Sequence, residues 1–388
     1  MKKIVTFLFF GLLLSIKGFS QPQEITVVSP EFHENGAVTF NILSPEAAEM
    51  KLHGSWMPDW NERVDMVKNE EGVWSVTFED LVPDYYTYSY FSNGIRLIDP
   101  HNALVIRDGR NHFSGFLLSG DESKYYEVNE TYSGTLQQIW YPSASLNLQR
   151  RMVVYTPPGY ETSGEDYPVL YLLHGGGGDE KAWSDLGLAN RILDNLIARG
   201  EATPMLVVMT NGNPNQTSSW FNTPGYSEEA DPGFLNTMGN EQFERGLVED
   251  VIPFVESHFR VKPEREFRAV TGLSMGGWQT QRLAYHYPEV FNYYGVMSMG
   301  VIRTGAFGYE ADQLIEHTRT KMDQLNELGF GLYWIACGTD DFLYDSVLHM
   351  VELLEEHDFD FIYRESSGGH TWDRWRLYLS EFAPMIFQ

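Results

Sequence analysis

Val270-Thr271-Gly272-Leu273-Ser274-Met275-Gly276-Gly277 is the stretch that decides how this chain is read. Phe267 to Thr271 is a short apolar-rich run that can enter a sheet, and Met275 to Tyr287 carries apolar residues at helical spacing. Between them Gly272 and Gly276 flank Ser274 in the order G-x-S-x-G. The whole reads as strand, sharp turn, helix. Such a turn brings strand and helix too close for side chains at the flanking positions, which calls for glycine, and it lifts the serine hydroxyl above the sheet. A glycine-rich turn with no chemistry would look the same locally, so the rest of the chain has to decide.

On both sides of this elbow, apolar strands alternate with helical patterns. Gly134 to Tyr141 and Gln149 to Tyr155 are strand-like, and Val169 to Leu173 and Met205 to Met209 are continuous apolar runs. Leu186 to Ala198 reads as a helix, and Phe243, Leu247, Val251, Phe254 and Phe259 mark one face of another. After the elbow come a strand at Tyr293 to Met297, a helix at Asp312 to Leu328 and a strand at Leu332 to Ala336. A helix at Ser346 to Glu356, a strand at Phe361 to Arg364 and a last helix from Trp372 complete the series. This alternation predicts an α/β domain over 133–388: a doubly wound, mostly parallel sheet with helices on both faces. The segment Pro214 to Asn240 is a long polar loop dotted with Trp220, Phe221, Tyr226 and Phe234, and loops of that length are usually functional.

The front of the chain has a different texture. Ala37 to Leu43 and Val73 to Phe78 alternate, Tyr85 to Phe91 is an aromatic strand, and Gly36, Asn69 to Gly72, Pro83-Asp84 and Asn93-Gly94 supply turns. A small all-β sandwich over 21–120 is expected. Its Trp56, Trp60 and Trp74 could form a sugar-stacking platform, but filling the sandwich core or covering an interdomain face is the better reading. A polar, acidic linker over 121–132 joins the two parts. Met1 to Ser20 has a basic start, an apolar middle and a small residue before Gln21, the pattern of a cleaved signal peptide, so a secreted or periplasmic location is expected.

The net charge is −27, and without Lys2, Lys3 and Lys17 it becomes −30. So acidic a surface argues against nucleic acid or an anionic membrane as partner. Cys337, the single cysteine, directly follows an apolar run and reads as a small core residue. No His or Cys pair has metal-ligand spacing, so neither a metal nor another cofactor is expected.

A serine hydroxyl needs a base to take its proton and a carboxylate to orient that base. Of the histidines after Ser274, His286, His317, His349 and His357 lie in or at the ends of expected helices. His370 sits in Ser366-Ser367-Gly368-Gly369-His370-Thr371-Trp372, a glycine-rich loop after the last strand, where it can reach over the serine. Gly338-Thr339-Asp340-Asp341 offers two acids at the exit of the preceding strand, with Asp345 a third. An oxyanion would be met by the Met275 N–H at the helix start and by the loop His174-Gly175-Gly176-Gly177-Gly178, through Gly176.

Five stretches together carry a resemblance: Leu172 to Glu180, Val248-Glu249-Asp250-Val251-Ile252-Pro253, Gly272 to Gly277, Cys337 to Asp341, and Gly368 to Trp372. In this order they resemble the esterase D/feruloyl esterase family of α/β-hydrolases, whose relatives include enterochelin esterases and mycolyltransferases. The front part is similar to the E-set, carbohydrate-binding-module-like domain often fused to bacterial feruloyl and acetyl xylan esterases; Ser29-Pro30-Glu31, Glu70 to Trp74 and Ile98-Asp99-Pro100 carry that likeness. The resemblance implies Ser274 as nucleophile, His370 as base, Asp341 as the orienting acid, and Gly176 and Met275 as oxyanion donors. Many relatives have a bulky residue where Gly176 stands, a departure that keeps the N–H and implies a wider acyl pocket. It further implies that Trp375, and more weakly Trp183, line that pocket. The expected function is therefore a secreted serine carboxylesterase acting on ester decorations of plant cell-wall polysaccharide, feruloyl esters first. An acetyl xylan esterase, a siderophore esterase and a non-catalytic glycan-binding protein are the alternatives.

Overall fold

The computed structural model of the chain describes residues 25–109, 111–121, 123–128, 133–214, 241–301 and 311–388, with side chains from 316 onward in the last segment. The expected signal peptide and the aromatic loop after Pro214 lie outside the described residues.

The front domain is a sandwich of two antiparallel sheets. Its strands are β1 (Glu31–Phe32), β2 (Val38–Leu43), β3 (Lys51–Gly54), β4 (Val64–Asp65), β5 (Val67–Lys68), β6 (Val73–Phe78), β7 (Tyr85–Ser92), β8 (Ile95–Leu97), β9 (Val105–Asp108) and β10 (Asn111–Leu117). One sheet runs β1-β2-β6-β5 and the other β4-β3-β7-β10-β9, with β8 hairpinned to β7. The period of two explains the core: in β2, Val38, Phe40 and Ile42 point inward while their neighbours are half-exposed. Phe40 packs on Trp56, Tyr88 and Phe116 with ring centroids 4.7–5.5 Å away. Trp74 is buried as well, whereas Trp60 is 76% exposed. The three tryptophans therefore do not make one platform, because two of them fill the core.

The second domain holds one eight-stranded sheet. Its strands are β11 (Thr135–Ser143), β12 (Leu148–Thr156), β13 (Val169–Leu173), β14 (Leu206–Thr210), β15 (Arg268–Leu273), β16 (Tyr293–Met297), β17 (Leu332–Gly338) and β18 (Ile362–Ser366). Their order is β11-β12-β14-β13-β15-β16-β17-β18. The β11-β12 and β12-β14 pairs are antiparallel and every later pair is parallel. The apolar run of β13 is buried throughout because both faces are covered: Val169, Tyr171 and Leu173 enter one core, and Leu170 and Leu172 the opposite one.

Two helices depart from the sequence reading. The helix expected from Leu186 begins only at Ala189, because Leu188 takes a left-handed φ of 50° and Gly187 is pressed against Trp183. A separate turn, Ala182–Asp185, precedes it. The helix marked by Phe243 is interrupted by a π turn, Leu247–Val251, between α-helical Gln242–Gly246 and Ile252–His258. Pro253 has no N–H to continue the regular ladder. The extra residue rotates the face, so that Val255 is buried where Phe254 is only half-buried.

The domains are joined by buried polar contacts. Arg376, in the helix Trp372–Phe382, donates to Asp84 Oδ1 at 2.9 Å, Tyr85 O at 3.0 Å and Leu186 O at 2.9 Å. Tyr126 OH donates to the same Asp84 carboxylate. The described part of the expected linker is held down too, since Asn195 Nδ2 donates to Tyr125 O at 2.8 Å and Glu127 O at 3.1 Å.

Candidate active site

Ser274 directly follows β15 at φ 51°, ψ −113°, a backbone conformation that L residues rarely adopt and that clusters at functional sites. Its N–H is held by Met297 O at 2.8 Å, and its carbonyl accepts from Trp278 N at 3.0 Å. The flanking glycines are explained by close approach. A Cβ on Gly272 would stand 2.5 Å from the Gly276 carbonyl carbon, and one on Gly276 would stand 2.6 Å from Leu173 O and 2.8 Å from His174 O. The helix Met275–His286 thus starts hard against the end of β13. The Met275 N–H belongs to its first turn, where no intrahelical acceptor exists.

The loop after β13 passes over the serine: a Cβ on Gly175 would lie 3.5 Å from the Ser274 Cβ. Gly176 and Gly177 are exposed there. The loop is anchored by His174, which is buried. Burial lowers its pKa, so the ring is neutral. Nδ1 donates to Gly175 O at 2.7 Å and Nε2 accepts the Gly212 N–H at 2.8 Å, a pattern that fits only the Nδ1–H tautomer.

β17 and β18 deliver the other two groups. His370 Nδ1 lies 2.9 Å from Asp341 Oδ2 and 3.0 Å from Oδ1. The Asp341 side chain is fully enclosed and that of His370 is 14% exposed. Asp341 Oδ1 also accepts the Leu343 N–H at 2.9 Å, which fixes the carboxylate plane. The neighbouring Asp340 does something else: its N–H donates to Gly368 O at 3.0 Å and its Oδ2 accepts the Gly368 N–H at 3.3 Å, stapling the two loops together. Of the two adjacent acids that the residues alone left open, Asp341 is the one hydrogen-bonded to His370.

The aromatic neighbours are arranged differently from expectation. Trp375 meets the His370 ring edge-on, centroids 4.9 Å apart at 90°, but it is only 6% exposed. Its indole N–H donates to Ser298 Oγ at 3.0 Å. Trp372 packs between Trp375 at 5.2 Å and Trp183 at 5.3 Å. Trp183 is 1% exposed, and its N–H donates to Leu173 O at 2.8 Å. The three indoles form a ladder from the end of β13 to the His370 loop, buried at Trp183 and Trp375 and half-buried at Trp372. Trp183 presents no surface to a ligand, and Trp375 very little. The sequence reading missed Phe342, which is 75% exposed with its ring 4.4 Å from that of His370. A large apolar residue at the polar start of a helix, directly after Asp341, was the signal available.

The other histidines after Ser274 are engaged elsewhere, His286 with Glu241 and His317, His349 with Glu352, and His357 with Asp323. Cys337 is buried, and burial pushes its thiol pKa well up. Among the described residues no group of three His, Cys, Asp or Glu side chains could hold a metal ion, and no helix is long and apolar enough to cross a membrane. The structure thus shows an imidazole oriented by a carboxylate, and a serine on a strained turn beneath a glycine loop, the parts that acyl transfer uses.

Fold and site together define a class: an α/β-hydrolase with a carbohydrate-binding-module domain in front. Residues 143–321 match the family model described as "Putative esterase", and residues 26–102 match carbohydrate-binding module 48, the isoamylase N-terminal domain. The chain is thus similar to this esterase family over a little under half of its length, and to the module over the front domain. An endo-1,4-beta-xylanase/feruloyl esterase of Xylanibacter ruminicola is 29% identical over 328 residues, covering 83% of this chain and 41% of that protein. This chain thus spans less than half the length of that relative. An acetyl esterase of Caldicellulosiruptor saccharolyticus is 25% identical over 57% of this chain and 83% of its own length. Among solved structures, a CE1 ferulic acid esterase from Anaeromyces mucronatus in complex with ferulic acid matches with a TM-score of 0.58 and 25% identity, over 68% of this chain and 95% of that one. The enterobactin esterase of Shigella flexneri shares the fold across both domains, with a TM-score of 0.62 and 16% identity over 90% of this chain and 92% of that one.

Proposed function

We propose that this chain is an exported serine esterase that removes hydroxycinnamoyl groups, ferulate above all, from xylan-type polysaccharide. The observation that carries the reading is the His370–Asp341 pair, 2.9 Å apart, in a fold that also sets Ser274 on a strained turn under the glycine loop. His370 takes the proton of Ser274 through Nε2 as the hydroxyl attacks the ester carbonyl. Asp341 holds Nδ1–H and stabilises the imidazolium. The N–H groups of Gly176 and Met275 receive the oxyanion. Collapse of the tetrahedral intermediate breaks the bond to the sugar oxygen, which leaves with the proton from His370. Water then repeats the sequence on the acyl-serine and releases the acid. The relative that pairs a xylanase with a feruloyl esterase and the solved relative holding ferulic acid support the substrate class. The signal-like Met1 to Ser20 suits a polymer that cannot enter a cell.

Acetyl xylan ester is the second reading. What favours it is that both tryptophans expected to line the acyl pocket are enclosed. Incubation with acetylated, feruloylated arabinoxylan separates the two. Ferulate is expected in the supernatant with the wild type and not with Ser274→Ala. Release of acetate alone transfers the assignment.

A further inference from the structure

The turn between β9 and β10 lies against the loop over Ser274. Gly109 stands in this turn at φ 55°, and a Cβ on it would run into the carbonyl oxygen of Gly177. The front-domain backbone therefore touches the glycine loop directly. One residue earlier, a Cβ on Gly178 would meet Asp108 Oδ1 at 3.5 Å. Arg107, on β9, forms an ion pair with Asp179, the residue that ends the glycine run. Both side chains are shielded, at 12% and 1% exposure. Arg107 Nη1 also donates to Gly109 O at 2.7 Å, so one guanidinium braces its own turn and grips the loop. On the loop side, Asp179 Oδ1 accepts the Lys181 N–H at 2.9 Å, and Glu180 accepts from Arg151 Nε at 2.7 Å.

We infer that the β9–β10 turn of the front domain is a positioning element of the active site: Arg107, through Asp179, and Gly109, through Gly177, hold the loop at the height where the Gly176 N–H meets the oxyanion. The physical reason is rigidity. Four successive glycines, Gly175 to Gly178, have wide backbone freedom, and an oxyanion donor acts only if it needs no reorganisation when charge develops. Within its own domain the loop is tied at its start by His174 and at its end by Glu180, and the Arg107 grip closes the side facing the front domain. Arg107 touches no substrate and acts through the loop. Its loss should appear in transition-state stabilisation and not in ground-state binding.

This inference rests on the esterase reading, and the experiment keeps the two apart. In the full chain, Arg107→Ala and, from the loop side, Asp179→Asn are measured per active site titrated with a phosphonate, which removes unfolded protein from the count. Each should lower kcat on a p-nitrophenyl ester about tenfold with KM within twofold. Affinity for a boronic acid that mimics the tetrahedral intermediate should fall by the same factor. Affinity for a planar amide analogue should hold within twofold. Arg107→Lys should recover part of the loss, and the double variant should be no worse than either single one, since both break one link. Hydrogen exchange of the 174–178 peptide reads the same tether without turnover and should quicken in Arg107→Ala. Unchanged exchange, or equal losses for planar and tetrahedral ligands, overturns the inference even in an active enzyme. Faster exchange in a wild-type background that hydrolyses no ester supports the tether and overturns only the functional reading.

Discussion

The indole nitrogen of Trp375 lies 3.0 Å from the hydroxyl oxygen of Ser298, itself at a left-handed φ of 51° past the end of β16. That bond turns the polar edge of the ring into the protein and leaves its carbon framework edge-on to His370. Trp375 is therefore a support for the imidazole. Trp375→Phe keeps a ring but loses the N–H. A net hydrogen bond is worth about 1 kcal/mol, or roughly fivefold in a rate if all of it bears on His370 placement. The expected result is a fall in kcat of that order for feruloyl and acetyl esters alike. A change in the ratio of kcat/KM between the two acyl groups would instead return Trp375 to the acyl pocket.

Adjacent acids with different partners give a sharp comparison. Asp341 serves His370 and the Leu343 N–H, while Asp340 serves Gly368. Asp341→Asn should lower kcat by roughly 10⁴-fold, the scale seen when the acid of such a triad loses its charge. Asp340→Asn keeps an oxygen for the Gly368 N–H and should stay within about threefold. Steady-state rates of the two variants decide, and the reverse ranking would exchange their roles.

The interface between the domains carries a buried charge that has to be matched. Arg376 is 2% exposed and faces Asp84, with Tyr126 on the same carboxylate. Removing one partner of a buried ion pair costs about 3–5 kcal/mol because the other charge is left uncompensated. Arg376→Ala should therefore lower the melting temperature sharply. A chain truncated to begin near Tyr125 should be poorly soluble, since it loses Asp84 and exposes the helix that follows His370. Good yield and an unchanged melt for the truncated chain would show that the front domain gives no support.

What the residues disclosed and what they withheld follow one physical distinction. Ser274 and His370 stand in loops whose glycines have no purpose in a core, so they could be singled out locally, whereas Asp340 and Asp341 share one loop and local pattern cannot rank them. The parallel sheet was legible for a similar reason, since runs such as Val169 to Leu173 are too apolar to face water on either side. Trp183 and Trp375 were not legible, because an indole suits a buried ladder and a ligand wall equally well. The π turn at Leu247–Val251 leaves only a one-residue drift in an apolar pattern. The Arg107–Asp179 pair joins two domains, and no periodicity connects its members.

Asp108, beside that pair, gives a pH dependence of definite sign. Burial and the nearby Asp179 carboxylate raise its pKa from an ordinary 3.8 to about 6, against the pull of Arg107. The folded form then holds a proton that the unfolded chain has already released, so this group's contribution to stability falls as pH rises from about 3.8 to about 6 and is flat above. At pH 7.5 the ionised carboxylate costs at most about 3 kcal/mol, from about two pKa units at 1.36 each. Asp108→Asn should raise the melting temperature at pH 7.5 and raise it about half as much at pH 5. Equal gains at both pH values would mean that the charge of Asp108 is not the cause.

Phe342 is the exposed aromatic surface next to the candidate base, and acyl preference turns on what it contacts. Its ring is 75% exposed and 4.4 Å from that of His370, so it offers a free stacking surface beside the candidate base. An aromatic pair contributes on the order of 0.5–1.5 kcal/mol beyond area burial, roughly a tenfold preference at most. Burying the exposed part of the ring adds more. An acetyl group is too small to use either contribution. Phe342→Ala should therefore lower kcat/KM for methyl ferulate about tenfold and leave a matched acetyl ester within twofold. The hydrogen bond that orients His370 comes from Asp341, so kcat on the acetyl ester is the internal control for the base. An equal loss on both esters would make Phe342 a second support for His370. No loss on either, with acetate preferred by the wild type, would move the enzyme to the acetyl esterases.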